Sequence, residues 1–229
     1  MTKKNKKTRG TNVITQMFPP IHAEGIKFTF IAGAIAVLGL MLYVPLGFFL
    51  ILLTLCVYGF FRDPERQIPE GKGIVVSPAD GIICDIKKTT LPKEFDMPNV
   101  AVQKVSVFMN VFNVHVNRCP IAGTVKKAVY VPGKFINAEL DKASEDNERQ
   151  LILLETKEDK KTIAFVQIAG LIARRILCEV EEGDTLATGE RFGLIRFGSR
   201  VDVYLPEDMK LNVVKGQTMV AGETVIAKI

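Results

Sequence analysis

Between Lys27 and Arg62 the chain carries no charged residue: Phe28 to Phe61 is a run of 34 residues dominated by Phe, Leu, Ile, Val, Ala and Gly, with one proline at position 45. As one straight helix it would be about 51 Å long, more than the ~30 Å hydrocarbon core of a bilayer. Pro45 divides it into apolar pieces at 28–44 and 46–61, and this pattern predicts a membrane-inserted helical hairpin over residues 28–61. The run is too long for a signal peptide, and no small-residue cleavage site follows it. Lysines in the preceding tail (residues 1–27), and Arg62 and Arg66 after the run, place both flanks on the cytoplasmic face of the cell membrane.

From residue 62 to residue 229 the texture changes to short β-branched runs punctuated by Gly, Pro, Asn and Asp, which predicts a mainly β domain. The expected strands are Gly73–Ser77, Ile82–Lys87, Val100–Met109, Val111–Asn117, Gly123–Val131, Leu151–Thr156, Thr162–Ile168, Ile176–Val180, Gly193–Phe197, Arg200–Leu205 and Val225–Ile229. Residues 157–160, Lys-Glu-Asp-Lys, read as a hairpin turn, and Asn137–Gln150 as a short helix or polar loop.

Two phrases recur. Val180-x-x-Gly183-x-Thr185-Leu186-x-x-Gly189-Glu190 returns 33 residues later as Val213-x-x-Gly216-x-Thr218-Met219-x-x-Gly222-Glu223. Pro78-x-x-Gly81-x-Ile83 returns as Pro120-x-x-Gly123-x-Val125. These repeats resemble the turns of lipoyl-like barrel-sandwich folds and imply a duplicated, hybrid-like β domain, without implying any chemistry.

The formal charge of +5 belongs to the tail, because residues 1–27 hold six cations and one acid while 24 cations and 24 acids balance in the rest. A domain that binds nucleic acid would carry its basic face on the folded part, so that class is excluded. Cys56, Cys84, Cys119 and Cys178 form no Cys-x-x-Cys pair, and with two histidines in the chain no metal site is expected.

The chemistry concentrates in Arg196-Phe-Gly198-Ser199-Arg200-Val-Asp-Val-Tyr-Leu-Pro206. This run resembles the self-cleavage site of phosphatidylserine decarboxylases of the short bacterial and archaeal type. The resemblance implies that the Ser199 hydroxyl attacks the carbonyl of Gly198, that the chain parts into residues 1–198 and 199–229, and that Ser199 becomes a covalent pyruvoyl group. A glycine on the acyl side leaves the carbonyl open to attack. The pyruvoyl carbonyl would form a Schiff base with the serine amine of phosphatidylserine in the membrane. Loss of CO2 and hydrolysis would then release phosphatidylethanolamine, with the two cleavage chains held together as a heterodimer; a higher oligomer is compatible with this picture.

Further motifs extend the resemblance over most of residues 62–229. Ser77-Pro-Ala-Asp80-Gly81 matches an early family motif whose Asp belongs to the self-cleavage machinery, and Asp80 is replaced by Ala122 in the other copy of its repeat. Phe108-Met-Asn-Val-Phe-Asn-Val-His115-Val-Asn-Arg118 resembles the family's histidine strand. With residues 111–117 as a strand, Val111, Asn113, His115 and Asn117 share one face. Long-type members carry a second His where Phe112 stands, so no role of that residue transfers. The resulting expectation is a Ser199–His115–Asp80 relay in which His115 acts as base. Pro132-Gly-Lys134-Phe and Asn147-Glu-Arg149 match family phrases too, and Lys134, Arg149 and Arg118 are candidates for the lipid phosphate. Ile168-Ala-Gly-Leu-Ile-Ala-Arg174-Arg175 also fits, without a role for its arginines.

Two other readings compete. An archaetidylserine or other serine-phospholipid decarboxylase would use the same residues on a different lipid. A non-enzymatic, membrane-anchored barrel-sandwich adaptor would need no cleavage, but it would display a modifiable Lys at a hairpin tip or a coiled-coil insertion, and neither is present.

Overall fold

The computed structural model describes residues 18–97, 100–135, 137–138, 146–171, 175–196 and 198–228. The chain divides into two compact units between Glu65 and Arg66.

In the first unit, α1 (Ala23–Leu42) and α2 (Val44–Phe60) are both apolar. Helix α1 begins five residues before the uncharged run, since His22 caps it by accepting from the Glu24 amide at 3.3 Å. Its 20 residues make it long and apolar enough to cross a membrane, unlike the shorter piece expected from the charge pattern. The break falls at Tyr43, and Pro45 sits in the first turn of α2, where its missing N–H costs nothing. The two ends of the pair meet: the His22 amide bonds the Phe61 carbonyl at 2.8 Å, and the Tyr58 hydroxyl bonds the Pro19 carbonyl at 2.6 Å. Phe30, Met41 and Leu42 are exposed, as they would be if facing lipid.

The second unit is mainly β and is built twice. One half runs continuously: β4 (Val116–Arg118), β5 (Gly123–Val131), β6 (Arg149–Thr156), β7 (Thr162–Ala169), β8 (Ile176–Cys178), β9 (Thr185–Leu186) and β10 (Arg191–Ile195). The other half is split around it. It comprises β1 (Ile74–Val76), β2 (Gly81–Thr90) and β3 (Ala101–Met109), then β11 (Ser199–Pro206), β12 (Lys210–Leu211), β13 (Thr218–Met219) and β14 (Val225–Lys228). The central eight-stranded sheet, β13-β2-β3-β11-β7-β6-β5-β9, reads the same from either end once matching strands are exchanged. The two three-stranded sheets, β1-β14-β12 and β4-β10-β8, correspond strand for strand.

The repeated glycines explain why the halves match. Gly183 and Gly216 take φ of 93° and 87°, and their amides bond Val125 and Ile83 at 2.9 and 2.8 Å, so each closes the same left-handed turn. The same bulge also interrupts β2 between Ile83 and Asp85 and β5 between Val125 and Lys127.

The halves differ in one connection. Strands β6 and β7 are joined by the expected turn at residues 157–160, with the Thr156 amide on the Lys161 carbonyl at 2.9 Å. Between β3 and β11 stands the whole inserted half. Strand β11 is nevertheless central, paired with β3 and β7, and both its faces are buried. Val201, Val203 and Leu205 join the main core with Val105, Val107, Phe165 and Phe192. Tyr204 joins a second cluster with Leu151, Val166 and Ile168.

Three expectations need correcting. Val111–Asn117 is not one strand, since only Val116 and Asn117 enter β4: the Phe112 amide bonds Asn110 Oδ1 and the Asn110 amide bonds Asn113 Oδ1, both at 2.9 Å. These side-chain bonds outcompete a ladder and fold residues 110–113 into a turn, so the shared face assigned to Val111, Asn113, His115 and Asn117 does not exist. Arg149 and Gln150 open β6 rather than close a loop, while residues 139–145 of that segment lie outside the described residues. The short strands β9, β12 and β13 went unseen because two residues carry no periodicity.

Candidate active site

Ser199 is the first residue of β11, opposite Met109 on β3 and Ala169 on β7. Alternation turns it to the side of Val201 and Val203, and it is fully buried. Its hydroxyl donates to the Met109 sulfur at 3.5 Å, a weak acceptor that leaves the oxygen lone pairs uncommitted to that contact. Gly198 has φ of 54°, a left-handed conformation that a β-carbon would disfavour. Its carbonyl oxygen lies so close to Gly170 that a Cβ there would stand 2.1 Å from it.

The same sulfur accepts from Asn117 Nδ2 at 3.6 Å, and Gln167 Nε2 donates to Asn117 Oδ1 at 2.8 Å. Asn117 and Gln167 are fully buried, so a soft acceptor and an amide donor stand beside Ser199 out of water. Arg200 continues the strand on the opposite face. Its Nε and Nη2 grip Asp202 at 2.8 and 3.1 Å, and Nη1 donates to the Ala138 carbonyl at 2.8 Å. Burial works against the Arg200 charge, yet Asp202 outweighs it and holds the guanidinium above its ordinary pKa.

His115 is fully buried just before β4, and its carbonyl accepts from the Ile195 amide at 3.4 Å. Its Nδ1 lies 2.9 Å from the Asn113 carbonyl. A carbonyl can only accept, so Nδ1 carries the proton, and in the neutral ring Nε2 keeps the lone pair a base needs. The turn that broke the expected strand therefore fixes the tautomer.

Asp80 sits in the turn before β2, with Oδ1 accepting from the Ala221 amide at 2.7 Å and from Arg66 Nη2 at 2.9 Å, and Oδ2 accepting from Arg66 at 2.7 Å. In the twin half the direction reverses, and the Ala122 amide donates to Thr188 Oγ1 at 2.9 Å. The turn forms with or without the carboxylate. Thus Gly198 and Ser199 lie together with Met109, while the described hydrogen bonds of Asp80 and of His115 Nδ1 run to Arg66, Ala221 and Asn113.

Of the three cations expected at a phosphate, Lys134 is exposed, and its amide is tied to the Asp146 carbonyl at 2.7 Å. Arg149 is buried with Nη2 on Glu94 at 3.0 Å, and Arg118 is buried with Nη1 on the Gly189 carbonyl at 2.9 Å. Arg174 lies outside the described residues, and Arg175 is exposed.

Residues 53–227 match the family described as phosphatidylserine decarboxylase. This chain belongs to that family, and it is an enzyme of the carboxy-lyase class. The phosphatidylserine decarboxylase proenzyme of Ruegeria pomeroyi is 57% identical over 91% of this chain and 94% of its own length. Those of Cereibacter sphaeroides and Novosphingobium aromaticivorans are 51% and 52% identical, covering 94% and 96% of this chain and 93% and 91% of their own lengths.

Sequence reasoning named Arg66 only as a flank of the apolar run and Asn117 only as sharing a face with His115, and it gave no role to Met109, Gln167, Gly170 or the Arg200–Asp202 pair. The one available signal was the polar residues within otherwise apolar strands, Gln167 and Asp202, which a fully buried strand tolerates only when they are bonded.

Proposed function

We propose that the chain decarboxylates phosphatidylserine to phosphatidylethanolamine, using a pyruvoyl group that it makes from Ser199. The observation that carries this reading is Ser199 itself: buried at the head of a central strand, directly after a left-handed glycine, in a chain whose relatives are named proenzymes.

Maturation is this chain's own chemistry. The Ser199 Oγ attacks the Gly198 carbonyl carbon, the Gly198–Ser199 C–N bond breaks, and the serine proton passes through the base to the freed nitrogen, leaving an ester. Removal of the Ser199 Cα proton then expels the Gly198 carboxylate from Cβ. Tautomerisation and one water release ammonia and leave the pyruvoyl group on residues 199–229. His115 Nε2 is the base, with its ring set by Asn113, and Asp80, fixed by Arg66 and Ala221, is the carboxylate that stabilises the imidazolium.

The surroundings suit the group, because the space beside Ser199 is dry and Asn117 offers an amide donor for a carbonyl oxygen. When present, the pyruvoyl group supplies a carbonyl to condense with the lipid's serine amine and an electron sink for the pair left by CO2. Exposed Lys134 is the first candidate for the lipid phosphate. Arg149 and Arg118 are already engaged and would have to share their donors. Residues 62–229 form the decarboxylase domain, and the pair α1–α2 inserts in the membrane from the cytoplasmic face, so the substrate need not leave the bilayer.

Denaturing electrophoresis with mass measurement tests the proposal. The expected result is two chains, 1–198 and 199–229, the shorter blocked by a pyruvoyl group, with CO2 released from phosphatidylserine. A single intact chain that is inactive on this lipid would overturn it.

A further inference from the structure

The Gly198–Ser199 peptide is held on both sides by residues outside the relay. On the acyl side the Gly198 carbonyl rests on Gly170, where a Cβ would lie 2.1 Å from the oxygen and 2.9 Å from the carbon. On the amine side Arg200 is fixed by Asp202 and by the carbonyl of Ala138. The two holds converge, since the Cβ of Ala138 is 3.5 Å from the position that a Cβ of Gly170 would take. The register Ser199 to Ala169 fixes the distance between β11 and the strand end that carries Gly170.

We propose that Gly170 and the Arg200–Asp202 pair form a clamp that positions the Gly198 carbonyl for attack by Ser199, with Gly170 the positioning residue on the acyl side. The inference rests on self-cleavage at this bond and adds what prepares it. In an unclamped loop the carbonyl could rotate away from Oγ, and glycine at 170 is what lets the oxygen seat against the next strand's backbone. Any side chain there pushes the carbonyl off its seat. A displacement of about 1 Å in a reacting group costs on the order of 100-fold in rate.

The test follows cleavage of the freshly synthesised full chain with time, beside its thermal unfolding. Gly123 supplies the control: a Cβ there would lie 2.3 Å from the Glu155 carbonyl oxygen, an equally tight backbone contact, at the opposite end of its strand pair from Arg149 and Ile168. Gly170→Ala is expected to slow cleavage by about 100-fold, and Gly123→Ala to destabilise the chain comparably while leaving cleavage near the wild-type rate. Hydroxylamine, which cuts esters but not amides, should release the fragment early from wild type and only slowly from Gly170→Ala, because its ester forms slowly. Should Gly170→Ala fail to fold, Arg200→Lys tests the other side of the clamp. It keeps a charge opposite Asp202, loses the bond to Ala138, and should slow cleavage by roughly tenfold, as expected for one lost hydrogen bond of about 1.4 kcal/mol. Wild-type cleavage rates in Gly170→Ala, or in Arg200→Lys when the glycine variant does not fold, overturn the clamp. So does equal slowing in Gly123→Ala. An uncleaved wild-type chain instead refutes the self-cleavage reading itself.

Discussion

Arg66 Nη2 reaches both carboxylate oxygens of Asp80, at 2.9 and 2.7 Å, and both side chains are nearly buried. The twin position of Asp80 is Ala122, so the ion pair is a feature of one half alone. Charge-assisted bonds of this kind contribute about 1.5–3 kcal/mol. Arg66→Ala and Asp80→Asn should each lower stability by that order and slow chain cleavage. The double variant should be no worse than the more severe single one. Additive losses in a chemical-denaturation cycle would show that the two residues act separately.

His115 and His22 make an internal comparison. Loss of a general base costs ~10²–10⁴-fold. His115→Ala should accumulate the intact chain on that scale, while His22→Ala, which alters only the cap of α1, should mature normally. Rapid, complete cleavage of His115→Ala would remove it from the relay.

Ser199→Ala should remain one chain and be inactive, since no hydroxyl is left to attack Gly198. Ser199→Cys should cleave slowly through a thioester. Normal processing of the alanine variant, seen by mass, would move the cleavage site elsewhere.

Removing residues 1–61 should leave a chain that still cleaves, because the β unit has its own core. Its activity should fall far more on phosphatidylserine in vesicles than on a short-chain soluble form. Equal losses would make the helices part of the catalytic fold.

The Cys119 thiol is fully buried and donates to the Ile121 carbonyl at 3.1 Å, and burial pushes its pKa up to about 12. The folded chain therefore keeps a proton that the unfolded chain loses near pH ~8.5. The resulting stability is intact below that pH and is lost as pH rises toward 12. The unfolding midpoint should fall across this alkaline window and fall less in Cys119→Ala, and iodoacetamide at pH 8 should leave Cys119 unmodified. Matching pH curves for the two proteins would contradict this.

Much of the duplication was legible because left-handed turns demand glycine, and Gly183, Gly189, Gly216 and Gly222 keep their spacing in both copies. What the spacing could not show is that one copy is nested inside the other, since turn chemistry is local and strand pairing is not. Ser199 stood out by its motif. Its neighbours did not, because Met109 and Gly170 look like any core methionine or strand-end glycine, and the Asn113 contact to His115 is through a backbone carbonyl that every residue carries. The run 111–117 was misread because Asn110 and Asn113 can satisfy backbone amides locally, and an alternation count ignores that competition.

The nesting of the two halves bears on what a cut before Ser199 would do. In the twin half, the corresponding link between β6 and β7 is a mere turn, so the cut opens a connection that the strand pairing does not depend on. Residues 199–229 supply β11 to the middle of the eight-stranded sheet, β13 to its edge and β14 to the middle of another. Pulling them out would tear the large sheet in two. Each mature molecule would therefore keep for life the small chain it was synthesised with, and mixing isotopically labelled with unlabelled enzyme would yield no hybrids.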